Sequence, residues 1–216
     1  MVGSKILRLL GLSTKRKAER RRFSDLQDLS SLMAFFHRVA DMPGCVAECG
    51  LGHGITFAML SLLIREEGKQ RPLWGFDSFQ GFPEPTIEDK SPRNPRRGEW
   101  NVTTKGEMLN CLSQFGDTSH IRIIEGFFEK TLPISPVRDI SLLHLDVDLY
   151  ASYKICLEEL FPRVVPGGIV VFDEFAREKW PGARRAIDQY FEGTPYVPQV
   201  ESSNPRKYYV VKKSTA

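Results

Sequence analysis

Two hydrophobic periods alternate along this chain, and their alternation predicts its elements. From residue 24, apolar side chains fall at Leu26, Leu29, Met33, Phe36 and Val39, a helical spacing, and Ser24 with Gln27 reads as a capping box. This helix is expected to end near Asp41, closed by Pro43 and Gly44. An apolar run at 45–49 reads as a buried strand, followed by Gly50-Leu51-Gly52-His53-Gly54 and a helical stretch at 55–67 that Gly68 stops. Further strands are predicted at 72–77, 121–125, 141–147 and 168–173, and further helices at 105–115, 152–161 and 182–191. Two closing strands at 196–200 and 208–212 lie close enough in sequence to form an antiparallel addition at one edge. Strands that are nearly continuous in apolar residues and alternate with helices belong to a parallel sheet covered on both faces. The pattern therefore predicts an α/β three-layer sandwich with a mostly parallel seven-stranded sheet and an antiparallel edge, in one domain over residues 24–216.

Between residues 81 and 100 the periodicity fails. Pro83, Pro85, Pro92 and Pro95 forbid regular pairing, while Arg93, Arg96 and Arg97 make the stretch basic. A segment of this length (81–104) reads as a lid over an acceptor or as a plain loop. The 26% charged and 41% hydrophobic composition of the 216 residues is that of a globular protein and excludes a disordered one. The net charge of +3 is small, with a local excess from Lys15 to Arg22. Residues 1–23 are expected to be a solvated basic tail, with contact to anionic lipid or nucleic acid as the alternative. No nucleic-acid partner is expected, and oligomeric state stays open.

Cys45, Cys49, Cys111 and Cys156 form no CxxC pair and suit reduced thiols better than a disulfide frame or a zinc site. No apolar run is long enough to span a bilayer, so stable membrane insertion is not expected. The short Ile6–Leu12 patch lacks the apolar core and cleavage site of a secretion signal. A cytoplasmic location is expected.

In a doubly wound sheet, ligands sit at the carboxyl ends of the strands near the switch point. Gly50, Gly52 and Gly54 occupy one such end and would let a ligand approach the backbone. Glu48, ending the same strand, would repel a pyrophosphate but could meet the α-ammonium of a methionine moiety. Asp77, followed by Ser78, is placed to accept from ribose hydroxyls, with a turn cap as its simpler role. These features favour a nucleoside bearing an amino acid, such as S-adenosylmethionine. The Gly126-Phe127-Phe128 loop follows the third strand, where an adenine ring would lie, and Phe127 could stack on it or belong to the core. His53 and His37 read as loop and helix-surface residues, and Trp180 as a packing residue or part of an acceptor pocket.

Strand four ends His144-Leu145-Asp146-Val147-Asp148, and strand five ends Phe172-Asp173-Glu174. If these ends are neighbours, four carboxylates converge, which is costly unless a cation neutralises them or some take up protons. Hard oxygen donors suit Mg2+, Mn2+ or Ca2+ rather than zinc. Asp146, Asp173 and Glu174 are the expected metal ligands and Asp148 the expected general base; helix capping is the alternative for Asp148.

The strings Val46-Ala47-Glu48-Cys49-Gly50, Gly75-Phe76-Asp77-Ser78-Phe79-Gln80-Gly81-Phe82-Pro83 and Asp146-Val147-Asp148-Leu149-Tyr150 resemble the macrocin O-methyltransferase (TylF-like) family. Pro166-Gly167-Gly168, Asp173-Glu174 and Pro181-Gly182-Ala183-Arg184-Arg185-Ala186 extend the similarity, which runs over about residues 42–212. The resemblance implies a Rossmann-like class I methyltransferase fold, S-adenosylmethionine as donor, and magnesium-dependent attack by a hydroxyl, often on a sugar of a natural product. It implies the same roles for Asp146, Asp148, Asp173 and Glu174, although the family often carries two aspartates where this chain has Asp173-Glu174. A small, glycosylated hydroxyl acceptor is the expected partner. An NAD-dependent oxidoreductase and a non-catalytic nucleotide-binding module remain the alternatives.

Overall fold

The computed structural model describes the backbone of residues 15–214 and the side chains of 23–214. The Ile6–Leu12 patch lies outside the described residues. The first helix, α1, spans Lys15–Arg38 and so begins nine residues before the expected cap at Ser24. Residues 15–23 contain no helix breaker and are rich in Lys, Arg, Ala and Glu, so propensity carries the helix through the basic run. Ser24 instead accepts a 2.6 Å hydrogen bond from Arg206. The buried face of α1 is Leu32, Phe35, Phe36 and Val39, whereas Leu26 and Met33 are exposed. Phe36 and Val39 are buried as expected, but Leu32 and Phe35 join them in place of Leu26 and Met33, because the apolar residues of α1 are too many for one stripe.

The remaining elements are β1 (Cys45–Cys49), α2 (Ile55–Glu67), β2 (Leu73–Asp77), α3 (Lys105–Ser113), β3 (Ile121–Glu125), α4 (Phe128–Thr131) and β4 (Ile140–Leu145). They continue with α5 (Tyr150–Leu160), β5 (Val164–Phe172), α6 (Pro181–Phe191), β6 (Gln199–Glu201) and β7 (Asn204–Val211). The seven strands run in the order β3-β2-β1-β4-β5-β7-β6. Five are parallel, and β7 and β6 add antiparallel at one edge. Strand β4 stops at Leu145, two residues short of expectation, and β6 is shorter and later than predicted.

Alternation along the strands sends Val46, Leu142, Ile169 and Val171 to a core shared with α1, α2 and α3. Their neighbours Ala47, Leu143, Leu145, Val170 and Phe172 face a second core with α5 and α6. The sandwich has three layers, as its nearly continuous apolar strands require. Within it, β1 pairs with β2 on one side and β4 on the other, so the chain reverses direction across the sheet there. The cysteines are free, with Cys45, Cys49 and Cys156 buried. Among the described residues no helix is long and apolar enough to cross a membrane.

Residues 81–100 form the expected irregular stretch, interrupted by one 3-10 turn at Ile87–Asp89. The stretch is nevertheless anchored: Phe82 and Asp89 are buried, and the Ser91 hydroxyl donates to the Lys179 carbonyl at 3.0 Å.

Candidate active site

Strand register brings the acids together. Cys49 pairs with Leu145, and Leu145 with Phe172, so the residues that follow these tips lie side by side. The Asp146 amide donates to the Cys49 carbonyl and the Asp173 amide to the Leu145 carbonyl, both at 3.0 Å. Carboxylate oxygens of Asp146, Asp173 and Glu174 lie within 4.8 Å of one another. Asp173 and Glu174 are buried. Three converging carboxylates are a fitting donor set for a hard divalent cation.

The chain supplies cations of its own to this cluster. Arg177 reaches Asp173 Oδ2 at 2.7 Å, and the buried Lys207 ammonium contacts Asp173 Oδ1. The Tyr153 hydroxyl donates to Glu174 Oε2 at 2.8 Å. A metal would therefore share Asp173 with two protein cations. The Arg177 partner follows an i, i+4 spacing readable in sequence. Lys207 carries no such signal, since it is distant along the chain and reaches Asp173 only because β7 pairs antiparallel with β5.

Burial, followed by the nearby charges of Asp146 and Asp148, pushes the Glu174 carboxyl well above the usual range. Burial and then Asp146 push Asp148 up to about 8. Asp148 does not cap α5, whose N-cap is Leu149 without a side-chain bond. It sits at φ 56°, at the apex of a three-residue turn in which the Leu149 amide donates to the Val147 carbonyl at 2.6 Å. Asp148 is thus free of structural bonding among the described residues and stays beside the cluster.

These shifts have a stability consequence in the cation-free chain. A carboxyl whose folded pKa is raised holds its proton where the unfolded chain has lost it, so the folded state binds more protons and stability falls as pH rises. For Asp148 the loss runs from about pH 4, the ordinary aspartate value, to about 8. The melting temperature of chelator-treated protein should therefore fall between pH 5 and 8, and added Mg2+ should flatten the decline. A melting temperature that rises over that window would show that these carboxyls are not protonated in the fold.

The glycine loop lies beside this cluster. Gly50 has φ 83°, and a Cβ there would come within 1.9 Å of the Asp146 carbonyl oxygen, so only glycine lets the β1 and β4 tips close up. Gly52 also has positive φ, yet open space lies beyond its would-be Cβ, a cradle where a ligand could reach the backbone. Gly54 ends the loop against Met108. Asp77 Oδ2 accepts from the Leu51 amide at 2.7 Å, and Oδ1 from the Phe79 amide at 2.7 Å. It therefore staples the loop to β2, the turn-forming role, while still lining the cavity with lone pairs to spare for a hydroxyl. Ser78 closes the next turn by donating to the Gly81 carbonyl at 2.8 Å. Gly126 donates to the Asp77 carbonyl at 2.9 Å, and Phe127, half-buried, precedes α4 on the same cavity wall.

Glu48 is wholly buried and does not line the cavity. Its Oε1 receives the Thr56 hydroxyl and faces His144 Nδ1 at 2.9 Å, while Oε2 has no partner among the described residues. The carboxylate lies deeper than expected, with Thr56 rather than Glu48 at the open surface. His53 is an exposed loop residue and meets Trp100 edge-on at 6.2 Å. Trp180 is fully buried against Phe82, so it packs and does not line the cavity.

One cavity of about 660 Å³ joins these features. Gly52, Asp77 and Phe127 line it together with Asp146, Asp148 and Glu174. Asp25, Asp28 and Leu29 of α1 complete the wall, a contribution the sequence did not signal because α1 is so distant along the chain.

Residues 18–196 match the family described as Macrocin-O-methyltransferase (TylF). Over 155 residues the chain is 30% identical to the 8-demethyl-8-(2,3-dimethoxy-alpha-L-rhamnosyl)-tetracenomycin-C 4'-O-methyltransferase of Streptomyces olivaceus, covering 69% of this chain and 58% of that protein. It is 29% identical over 162 residues to the mycinamicin III 3''-O-methyltransferase of Micromonospora griseorubida, covering 69% and 61%. The chain thus spans about three fifths of the length of these relatives. Among solved structures, the calicheamicin methyltransferase CalS11 superposes with a TM-score of 0.77 at 26% identity, covering 96% of this chain and 90% of that one. The O-methyltransferase NovP gives a TM-score of 0.76 at 24% identity, covering 87% and 80%, and supports the fold. With the family match running over most of its length, this chain belongs to the macrocin O-methyltransferase family.

Proposed function

We propose that this chain transfers the methyl group of S-adenosylmethionine to a hydroxyl of a sugar or glycosylated small molecule, with help from a divalent cation. The observation that carries this reading is the single cavity shared by the glycine loop and the four-carboxylate cluster. The relatives, named for O-methylation of glycosylated compounds, support the acceptor class. The open cradle at Gly52 fits a donor whose amino-acid moiety approaches the loop backbone. The free cysteines support a reducing, cytoplasmic setting.

When bound, S-adenosylmethionine would supply an electrophilic methyl, and a divalent cation held by Asp146, Asp173 and Glu174 would supply charge that lowers the pKa of the acceptor hydroxyl. The protein's residues do the rest. The glycine loop and Asp77 orient the nucleoside, and the cavity walls exclude water. Asp148 would take the proton of the acceptor hydroxyl, freeing its oxygen to accept the methyl that the donor sulfur gives up as it leaves as a neutral thioether. Lys207 and Arg177 hold the Asp173 carboxylate in place.

A dehydrogenase reading needs a Tyr-Lys pair or a catalytic histidine. Tyr153 is buried on Glu174, and Lys154 is exposed and paired with Glu158, so this pair cannot serve a hydride transfer. Calorimetry with S-adenosylmethionine and with NAD, each with and without Mg2+, tests the reading. Micromolar binding of the methyl donor and none of NAD is expected; the reverse would refute it. A screen of glycosides with labelled donor then identifies the acceptor.

A further inference from the structure

Asp148, the base in the reading above, stands on a strained support. A non-glycine residue at φ 56°, inside a turn closed by an amide two residues after the accepting carbonyl, persists only where surrounding contacts over-determine it. On its N-terminal side the turn is fixed by the sheet, through the Asp146 amide on the Cys49 carbonyl. On its C-terminal side it runs directly into α5, whose first-turn amides have no intrahelical acceptor and whose N-cap, Leu149, offers no side-chain oxygen. The missing acceptor comes from 61 residues away. Asp89 Oδ1 accepts from the Tyr150 amide at 2.8 Å.

Asp89 is itself held with little freedom. It is 2% exposed, and its Oδ2 accepts from the Thr86 amide at 2.8 Å and from the Thr86 hydroxyl at 3.1 Å. Behind it lies Gly182 in the first turn of α6, where a Cβ would fall 2.0 Å from Asp89 Oδ1. A buried carboxylate in the irregular stretch thus joins that stretch to the starts of α5 and α6.

We infer that Asp89 is a positioning residue: its carboxylate caps α5 from outside and thereby fixes the turn that presents Asp148. On this view the 81–100 stretch is a structural part of the active site at Asp89, whatever its other residues do over the acceptor. The inference rests on Asp148 being the base.

The test uses the full chain with Asp89→Asn and Asp89→Ala, and with Gly182→Ala, whose Cβ would press on both Asp89 Oδ1 and Tyr150 Cβ. Hydrogen exchange of the 147–151 amides is read first, because it needs no acceptor. Exchange there should quicken at least tenfold in Asp89→Ala and Gly182→Ala and less in Asp89→Asn, while the α2 and α3 amides keep their protection. Steady-state kinetics follow, on the glycoside that the wild type methylates. There kcat should fall 10- to 100-fold, with the KM for S-adenosylmethionine and the calorimetric Kd for Mn2+ within twofold of wild type. Unchanged exchange at 147–151 overturns the inference. So does quickened exchange with an unchanged kcat, which would leave Asp89 a cap with no bearing on the base. Should the wild type methylate no glycoside, the proposed function fails on its own account, and the exchange data still decide whether Asp89 holds the turn.

Discussion

Asp148→Asn is expected to abolish most turnover while leaving the donor and the cation bound. The change removes proton affinity at almost no cost in shape. Asn is one of the few residues that tolerates the left-handed backbone found at 148, so the turn should survive. The side chain makes no hydrogen bond among the described residues that the amide could break. Removing a general base costs typically about 10²–10⁴-fold in rate. The Kd for S-adenosylmethionine should stay within about twofold, because the glycine loop is held by Asp77 and not by Asp148. Single-turnover assays with labelled donor, paired with calorimetry, measure both quantities. Full activity in Asp148→Asn would remove this residue as the base and pass the role to another group.

Loss of the cation should be as damaging. Charge stabilisation by a bound divalent ion is worth several kcal/mol, which translates to roughly 10²–10³-fold in rate or more. Chelator-treated protein should therefore be inactive, and Mg2+ or Mn2+ should restore it. Glu174→Gln provides the structural counterpart. Its carbonyl can still accept from Tyr153, yet the site loses one of three anionic donors. Mn2+ affinity should drop at least tenfold, and turnover with it. The cation-free variant should melt higher than cation-free wild type, because a buried carboxyl repelled by Asp146 and Asp148 is gone. Undiminished turnover in protein shown to be metal-free would eliminate the cation from the reaction. Asp146, Asp173 and Glu174 would then be a buried acid cluster balanced by Lys207 and Arg177.

Much of this molecule is written in local pattern. The strands β1 to β5 appear where mostly apolar runs occur, because a strand covered on both faces leaves few positions for a polar side chain, and the buried pair Glu48 and His144 answer each other there. The acids at 146, 148, 173 and 174 stand out for the same reason, as charges at the ends of such runs. The glycines of the loop announce a close approach that the Gly50 contact with the Asp146 carbonyl realises.

Elsewhere local pattern misled or fell silent. α1 has more apolar residues than one stripe can bury, so spacing alone could not choose between the Leu26–Met33 and Leu32–Phe35 faces. The Asp77 carboxylate admits two roles in sequence, and only the fold shows that it staples the Leu51 and Phe79 amides while still lining the cavity. Glu48 looks like a cavity residue and lies beneath the wall.

What the chain order determined alone, then, is the succession of strands and helices and the identity of the acids at the strand tips, because burial on both faces and charge at a strand end are properties of a few adjacent residues. Only the tertiary structure decided which distant groups meet those acids. Lys207 from the antiparallel edge, Asp28 from the first helix and Asp89 from an irregular stretch reach the site through sheet order and helix packing, and those are set by contacts between segments that no local period encodes.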